Sequence, residues 1–398
     1  MPAEAPLQRI VIVGGGQAAV QAADTLRREG FEGCLTMVSG EPGWPYQRPP
    51  LSKACLAADG GDPPLLKPEA FYAERQVDLR RGRQAVAIDR SRGELHLDDG
   101  ERLPWDRLLL ATGGRLRRLP AIEAAAPGRV HYLKGRGDAA ALRTALAAAD
   151  RVTVIGGGFI GLEFAAAARK RGLAVSLHEA ADRLLGRVTR PEVSLHLQSV
   201  HARHGVELHF GAGAPDPAKA DLVLVGVGAL PEDDLARDAG LHCQDGIVVD
   251  AACRTSDPRI FAAGDCTRAP RAGHPGLWRL ESVDNAVTQG TVAARSMLGR
   301  QATLDAVPWF WSDQYDQKLI IIGLSIGHDE VVVRGDPADG AFSLCYLQQG
   351  RLLAVDCMNR AADSVAARKL VAAGARLDRG RAALPAIPLK DAILTPND

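Results

Sequence analysis

Two stretches of this chain combine apolar, glycine and acidic residues in an order that can hold a dinucleotide. In the first, residues 10–13 are β-rich and apolar, Gly14-Gly15-Gly16 follows, and an alanine-rich segment with a period near 3.6 continues to Arg28. In the fingerprint Gly14-x-Gly16-x-x-Ala19, Gly14 permits the tight turn, Gly16 removes the side chain that would block a pyrophosphate, and Ala19 lets the helix sit close to the strand. The phosphates would then lie on unpaired N–H groups at the helix start. The second stretch repeats the order: a strand over residues 151–155, Gly156-x-Gly158-x-x-Gly161, and a helix to Arg171. One such triplet is weak evidence, whereas two in one chain predict two bound dinucleotides.

The acids that follow each fingerprint narrow the ligands. A strand over residues 174–178 ends on Glu179, about 20 residues beyond Gly156, where a carboxylate accepts both ribose hydroxyls and disfavours the 2′-phosphate of NADPH. NADH is therefore the expected donor. Arg183 and Arg187 argue the other way, since a guanidinium can bind a 2′-phosphate. After the first fingerprint, the strand over residues 34–38 ends on Ser39 and the acid comes later, at Glu41. We assign Glu41 to the adenosine ribose, with a solvated turn acid as the alternative.

Three further features could face a ligand. Pro45-Tyr46-Gln47-Arg48-Pro49-Pro50-Leu51-Ser52-Lys53 is a proline-stiffened loop suited to holding Arg48 and Lys53 in place, or simply a rigid surface loop. An apolar strand over residues 260–263 runs into Gly264-Asp265, which puts a carboxylate at the carboxyl edge of a sheet. A helix over residues 281–298, opened by Ser282 and Asp284, would offer a positive N-terminus.

The elements around these residues fit a chain of several domains. At 398 residues it exceeds one ordinary core. Charged residues make up 24% with no net charge, which disfavours nucleic acid as the main partner, and the apolar runs are of strand length, too short for a membrane span. Seven cysteines without a Cys-x-x-Cys pair or zinc-like spacing read as buried thiols of a reducing, cytoplasmic protein with no metal site. Residues 1–8 read as a short disordered tail.

Pattern predicts a short helix over residues 68–75, a hairpin over 84–89 and 94–97, and a strand over 107–111 leading to Thr112-Gly113. A helix over 138–148 precedes the second fingerprint, and strands over 207–210 and 221–225 close that module before Gly228. The last ninety or so residues alternate as strands over 318–323, 330–334, 342–348 and 351–356, then a helix over 359–373, an α+β appendage.

Across nearly its full length the chain resembles the FAD-dependent, NADH-using ferredoxin reductases of oxygenase systems, the putidaredoxin reductase and biphenyl dioxygenase reductase type. The motifs carrying the resemblance are Gly14-x-Gly16-x-x-Ala19, the loop from Pro45 to Lys53, Ala111-Thr112-Gly113, the run from Gly156 to Glu163, Ala263-Gly264-Asp265, Glu281-Ser282-Val283-Asp284-Asn285-Ala286, and Pro308-Trp309-Phe310-Trp311-Ser312-Asp313-Gln314-Tyr315. The resemblance implies the α/β fold of glutathione reductase. There an FAD-binding domain (1–113 and 246–308) and an NAD-binding domain (114–245) form two nested Rossmann-like modules, followed by a C-terminal α+β domain (309–398).

It further implies bound FAD on the first fingerprint, with Lys53 near the flavin, Asp265 on the ribityl hydroxyls and Val283 at the pyrimidine end. Ala18, Gly40, Ala85 and Lys134 match other FAD-lining positions. Ile160, Glu163, Glu179, Arg187 and Gly228 match positions along NAD. Lys53 and Glu163 resemble the pair that relatives place beside flavin N5, where it would position the nicotinamide, and Trp311 is the candidate for the flavin's outer edge.

The disulfide-reductase relatives carry a Cys-x-x-x-x-Cys pair that this loop lacks, Cys55 standing alone beyond it. The implied reaction is oxidation of NADH and one-electron reduction of a [2Fe-2S] ferredoxin feeding a cytochrome P450 or Rieske-type oxygenase, by a monomer. Clusters at Arg80, Arg81, Arg83, Arg115, Arg117, Arg118, Arg268 and Arg271 could meet an acidic ferredoxin. The alternatives are an NADH oxidase or peroxidase, whose flavin-facing cysteine is absent from residues 41–44, and a redox interaction protein like apoptosis-inducing factor.

Overall fold

Ile10 and Ile12 are fully buried and Val11 and Val13 nearly so, as a strand covered on both faces requires. That strand, Arg9–Val13, is the centre of a parallel sheet in the order Ile260–Ala262, Arg107–Leu110, Arg9–Val13, Cys34–Ser39 and Val77–Arg81. The computed structural model describes residues 7–211, 213 and 215–394, so the expected tail lies, for residues 1–6, outside the described residues.

Two units are defined by internal packing. The first comprises Met1–Gln47, Pro64–Arg115 and Ala229–Ala306, and the second Arg48–Pro63, Leu116–Gly228 and Val307–Asp398.

In the first unit the helices Gln17–Arg28 and Val283–Met297 pack closely because Gly290 has no side chain: a Cβ there would meet the Ala18 carbonyl oxygen at 2.5 Å. The expected hairpin forms from Ala85–Asp89 and Glu94–Leu97, extended by Arg102–Pro104. Val77–Arg81 was not expected as a strand. It is an edge strand, and its Asp78, Arg80 and Arg81 break the apolar pattern.

In the second unit a parallel sheet runs Val206–Phe210, Ala174–Glu179, Arg151–Ile155, Leu222–Val225 and Val130–His131. Its preceding helix starts at Arg136 because Asp138 accepts the N–H groups of Lys134 and Gly135 at 2.9 and 2.8 Å, capping the first turn. The helix Pro191–Arg203 escaped the sequence reading because polar Ser194 and His201 occupy core positions beside Val193, Leu197 and Val200.

The same unit ends in an antiparallel sheet, Trp309–Gln314, Gln317–Gly323, Arg351–Met358, Phe342–Gln348 and Glu330–Arg334, backed by the helix Ala361–Ala372. The architecture is thus α/β, with two Rossmann-like parallel sheets and a C-terminal α+β portion. Among the described residues no helix is long and apolar enough to cross a membrane, and no cluster of potential metal ligands occurs.

Candidate functional site

In the first unit the glycine turn is forced by contact. Gly14 has φ +138°, and a Cβ on it would stand 2.2 Å from the Ala111 carbonyl oxygen. Its N–H donates to the Val38 carbonyl at 2.8 Å, so the loop is tied across three strands' ends. A Cβ on Gly15 would meet Ser39 Oγ at 2.3 Å. Gly16 differs: nothing lies within 4 Å of where its side chain would be, and it caps the Gln17–Arg28 helix with no side-chain hydrogen bond. An open space in front of uncapped helix N–H groups fits a pyrophosphate, and a side chain at residue 16 would fill it.

The remaining candidates in this unit lie on several elements. Ala19 is buried under the strand, and Ala18 faces Gly264 and Gly290. Gly40 is exposed at the sheet edge, with Gln84 Cγ 3.6 Å from its would-be Cβ, and Ala85 begins the next strand. Glu41 accepts the Tyr46 hydroxyl at 2.6 Å, which orients its carboxylate. Thr112 Oγ donates to the Glu232 carbonyl at 2.5 Å, and Gly113 has φ +75°. Asp265 is half-buried just past the strand Ile260–Ala262, after Gly264 at φ +87°. Val283 opens its helix, whose N-cap Ser282 accepts the Asn285 N–H at 3.1 Å.

In the second unit the turn is closed in the same way. Gly156 has φ +109° and would drive a Cβ to 2.4 Å from the Gly226 carbonyl oxygen, while a Cβ on Gly161 would meet the Gly156 carbonyl oxygen at 2.0 Å. Gly158 is open, its nearest neighbour at 4.0 Å, and caps the Phe159–Lys170 helix without a side-chain bond. Glu179 takes the Gly157 N–H on Oε2 at 2.7 Å and the Ala181 N–H on Oε1 at 2.8 Å. These bonds fix the carboxylate beside the glycine loop, where a ribose would lie. Ile160 is 41% exposed beside the same opening, and the Arg187 guanidinium lies 3.8 Å from the would-be Cβ of Gly228. Arg183 is used otherwise: its guanidinium is held by the carbonyls of Thr189 and Gly186 and by Ser194 Oγ, each at 2.8 Å.

Lys53 and Glu163 do meet. Lys53 Nζ lies 2.6 Å from Glu163 Oε2, and the carboxylate is 5% exposed one turn into the helix that Gly158 caps. Two hydroxyls complete the shell: Ser52 Oγ donates to Oε2 at 2.5 Å and Ser312 Oγ to Oε1 at 2.7 Å. The loop bearing Lys53 is held by Arg48, whose Nη1 reaches the Lys134 carbonyl at 2.7 Å, and by Arg143 and Arg171 on the carbonyls of Cys55 and Leu56.

Sequence reasoning did not single out the two serines. Strand alternation was the available signal: Phe310, Ser312 and Gln314 share one face of Trp309–Gln314, and two buried polar residues on one face demand partners. Trp311 points to the other face, where it stacks on Trp309 at 5.2 Å between ring centroids.

One expectation needs correction. The thiols are not all buried: Cys34 is exposed and Cys243 half-buried, although all seven are unpaired. Burial pushes the Cys55 and Cys266 thiols up from their ordinary value, and the Cys243 thiol up to about 11. Several arginines of the basic clusters are paired within the chain. Arg271 is buried on Asn285, while Arg80, Arg83, Arg115 and Arg118 pair with Asp78, Asp99, Asp234 and Glu123. The partner acids come from a strand, a turn and two helices, so runs of like charge alone do not show the pairing.

Residues 8–290 match the family described as pyridine nucleotide-disulphide oxidoreductase, and residues 309–393 that described as reductase C-terminal. The chain is 42% identical to rhodocoxin reductase of Rhodococcus erythropolis, over 98% of this chain and 95% of that one. It is 40% identical to the ferredoxin–NAD(+) reductase component of the anthranilate 1,2-dioxygenase system of Burkholderia cepacia, over 96% and 98%. It also superposes on the reductase in the crystal structure of a covalent putidaredoxin reductase–putidaredoxin complex, with a TM-score of 0.91 and 38% identity over 96% of this chain and 97% of that one.

Proposed function

The chain belongs to the pyridine nucleotide-disulphide oxidoreductases, among the ferredoxin reductases of oxygenase systems, and we propose that it oxidises NADH and reduces a [2Fe-2S] ferredoxin serving a cytochrome P450 or Rieske-type oxygenase. The observation that carries this reading is two open glycine cradles in a chain whose seven cysteines are all unpaired. The loop from Pro45 to Lys53 carries no Cys-x-x-x-x-Cys pair to relay electrons, and the relatives' names supply the ferredoxin.

FAD, when bound, converts between the two-electron chemistry of nicotinamide and one-electron carriers. In our reading the first cradle holds it: Gly14, Gly16 and Ala19 admit the pyrophosphate, Glu41 takes the ribose, and Asp265 and Val283 sit at sheet-edge and helix-start positions suited to the remainder. Gly40, Ala85, Ala111, Thr112 and Gly113 shape the backbone around it. The second cradle takes NADH. Gly158 leaves room for its phosphates, Glu179 accepts its ribose hydroxyls, and Ile160 offers an apolar surface.

Glu179 is the basis for proposing NADH over NADPH, because a 2′-phosphate would meet a carboxylate already fixed by two N–H donors. Lys53 and Glu163, at the start of the helix after Gly158, are proposed to orient the nicotinamide. The three-domain division by nucleotide, a cytoplasmic location and a monomeric state belong to the same proposal. NADH oxidation by the purified yellow protein, with and without a [2Fe-2S] ferredoxin and in the presence and absence of dioxygen, tests it. Electron delivery to the ferredoxin supports the reading, and NADH oxidation coupled only to dioxygen would replace it by the oxidase alternative.

A further inference from the structure

Behind the Lys53–Glu163 pair lies a line of buried polar groups that no glycine fingerprint accounts for. Ser312 and Gln314 are 1% exposed and His201 is fully buried. Ser312 Oγ reaches Glu163 Oε1 at 2.7 Å, Gln314 Nε2 reaches Ser312 Oγ at 3.2 Å, and His201 Nε2 lies 3.0 Å from Gln314 Oε1. Three elements contribute: the Phe159–Lys170 helix, the strand Trp309–Gln314 and the helix Pro191–Arg203.

The direction of these bonds follows from what each group can do. The Lys53 ammonium only donates, and it shares Glu163 Oε2 with the Ser52 hydroxyl. Glu163 Oε1 must then take the Ser312 proton, which leaves the Ser312 oxygen to accept from the Gln314 amide. The Gln314 carbonyl oxygen in turn needs a donor, and His201 provides it when its proton is on Nε2. His201 Nδ1, the acceptor nitrogen in that tautomer, has no hydrogen-bond partner. Burial lowers the His201 pKa to about 4, so the ring is neutral at ordinary pH, with His204 stacked on Tyr315 beside it.

We propose that Ser312 and Gln314 are positioning residues for Glu163. With His201 they form a one-way line of hydrogen bonds that turns the carboxylate toward Lys53 and holds both groups still. The inference rests on the proposed function and deepens it, because it says how the groups meant to orient the nicotinamide are themselves oriented. Polar groups at such positions are costly unless each is satisfied, and an apolar strand face would pack there without that demand. Removing Ser312 Oγ frees one carboxylate oxygen and strands the Gln314 amide, so the pair loses its fixed geometry while the two glycine cradles are untouched.

The test compares Ser312→Ala, Ser312→Thr and Gln314→Met with the parent holoprotein. Acetylation of Lys53 by acetic anhydride, followed by mass spectrometry with exposed Lys170 and Lys369 as internal references, reads the pair without any turnover. Ser312→Ala should raise Lys53 labelling about threefold or more, in line with loss of one hydrogen bond. In stopped flow it should slow NADH-driven bleaching of the flavin about fivefold, with the NAD(+) dissociation constant changed less than about twofold. Ser312→Thr keeps the hydroxyl and should return both readouts to within about twofold of the parent, and Gln314→Met should shift them in the Ala direction by less.

Unchanged Lys53 labelling in both Ser312→Ala and Gln314→Met would overturn the proposal. So would a folded Ser312→Thr that behaves as Ser312→Ala. Labelling does not depend on the acceptor. A protein that fails with every ferredoxin therefore loses the proposed function and keeps this line of bonds, and flat labelling in an active reductase does the reverse.

Discussion

Gly161 faces the Gly156 carbonyl oxygen so closely that a Cβ would stand 2.0 Å from it, and that oxygen belongs to the turn that must not move. Gly161→Ala therefore has no cheap relief, since overpacking against backbone costs about 1–3 kcal/mol or more. We expect a melting temperature lower by about 5 °C and loss of NADH-dependent flavin bleaching. Gly158→Ala is the control with opposite physics. Its side chain enters open space, so the protein should melt as the parent does while KM for NADH rises about tenfold, a cost near 1.4 kcal/mol. Equal melting losses in the two variants would show that the space before Gly158 is not a ligand cradle.

Glu179 makes a sharper statement about the donor. Its two oxygens take the N–H groups of Gly157 and Ala181, and Gln can accept on only one of them. Glu179→Gln should lower kcat/KM for NADH about 10- to 100-fold, the range for a charged hydrogen bond, and lower that for NADPH far less. The ratio of the two specificity constants measures it. A parent protein that already uses NADPH as well as NADH would remove the basis of the prediction.

The legible parts of this chain were those where one residue type answers one local demand. Gly14, Gly156 and Gly161 could be placed because their backbone forbids a side chain, and Glu179 because it ends a strand at a set distance from the turn. Lys53 and Glu163 were paired through family resemblance, and nothing local to either residue would have shown that they touch. Ser52, Ser312, Gln314 and His201 were not singled out because their role exists only once a loop, a strand and two helices come together. The helix Pro191–Arg203 was missed for the same reason, since His201 is a core residue only in the company of Gln314.

Lys53 shares the Glu163 carboxylate with two serines, so removing its charge leaves a buried acid with hydroxyl donors only. Lys53→Met should slow the NADH-driven step about 10- to 100-fold, as expected when an orienting charge is withdrawn from a buried partner. Flavin content should be retained. Single-turnover stopped flow separates this from slower ferredoxin docking, and a rate equal to the parent's would confine the pair to a structural ion pair.

Asp356 gives a prediction about stability that has nothing to do with either cradle. It is fully enclosed in the C-terminal sheet, accepts the Tyr346 hydroxyl at 2.6 Å, and burial pushes its pKa up to about 7. The folded protein therefore keeps a proton that the unfolded chain releases near pH 3.9. The sign is opposite to that of a salt-bridged carboxylate: the contribution is most favourable below pH 4 and is lost as pH rises through 7. Asp356→Asn retains an acceptor for Tyr346 and carries no charge. At pH 8 it should stabilise the protein by about 1–3 kcal/mol, discounted from the full linkage value for an imperfectly satisfied amide, and the gain should shrink toward pH 5. Denaturant midpoints of parent and variant at the two pH values decide the matter, because a gain independent of pH would mean that Asp356 is already neutral across the whole range.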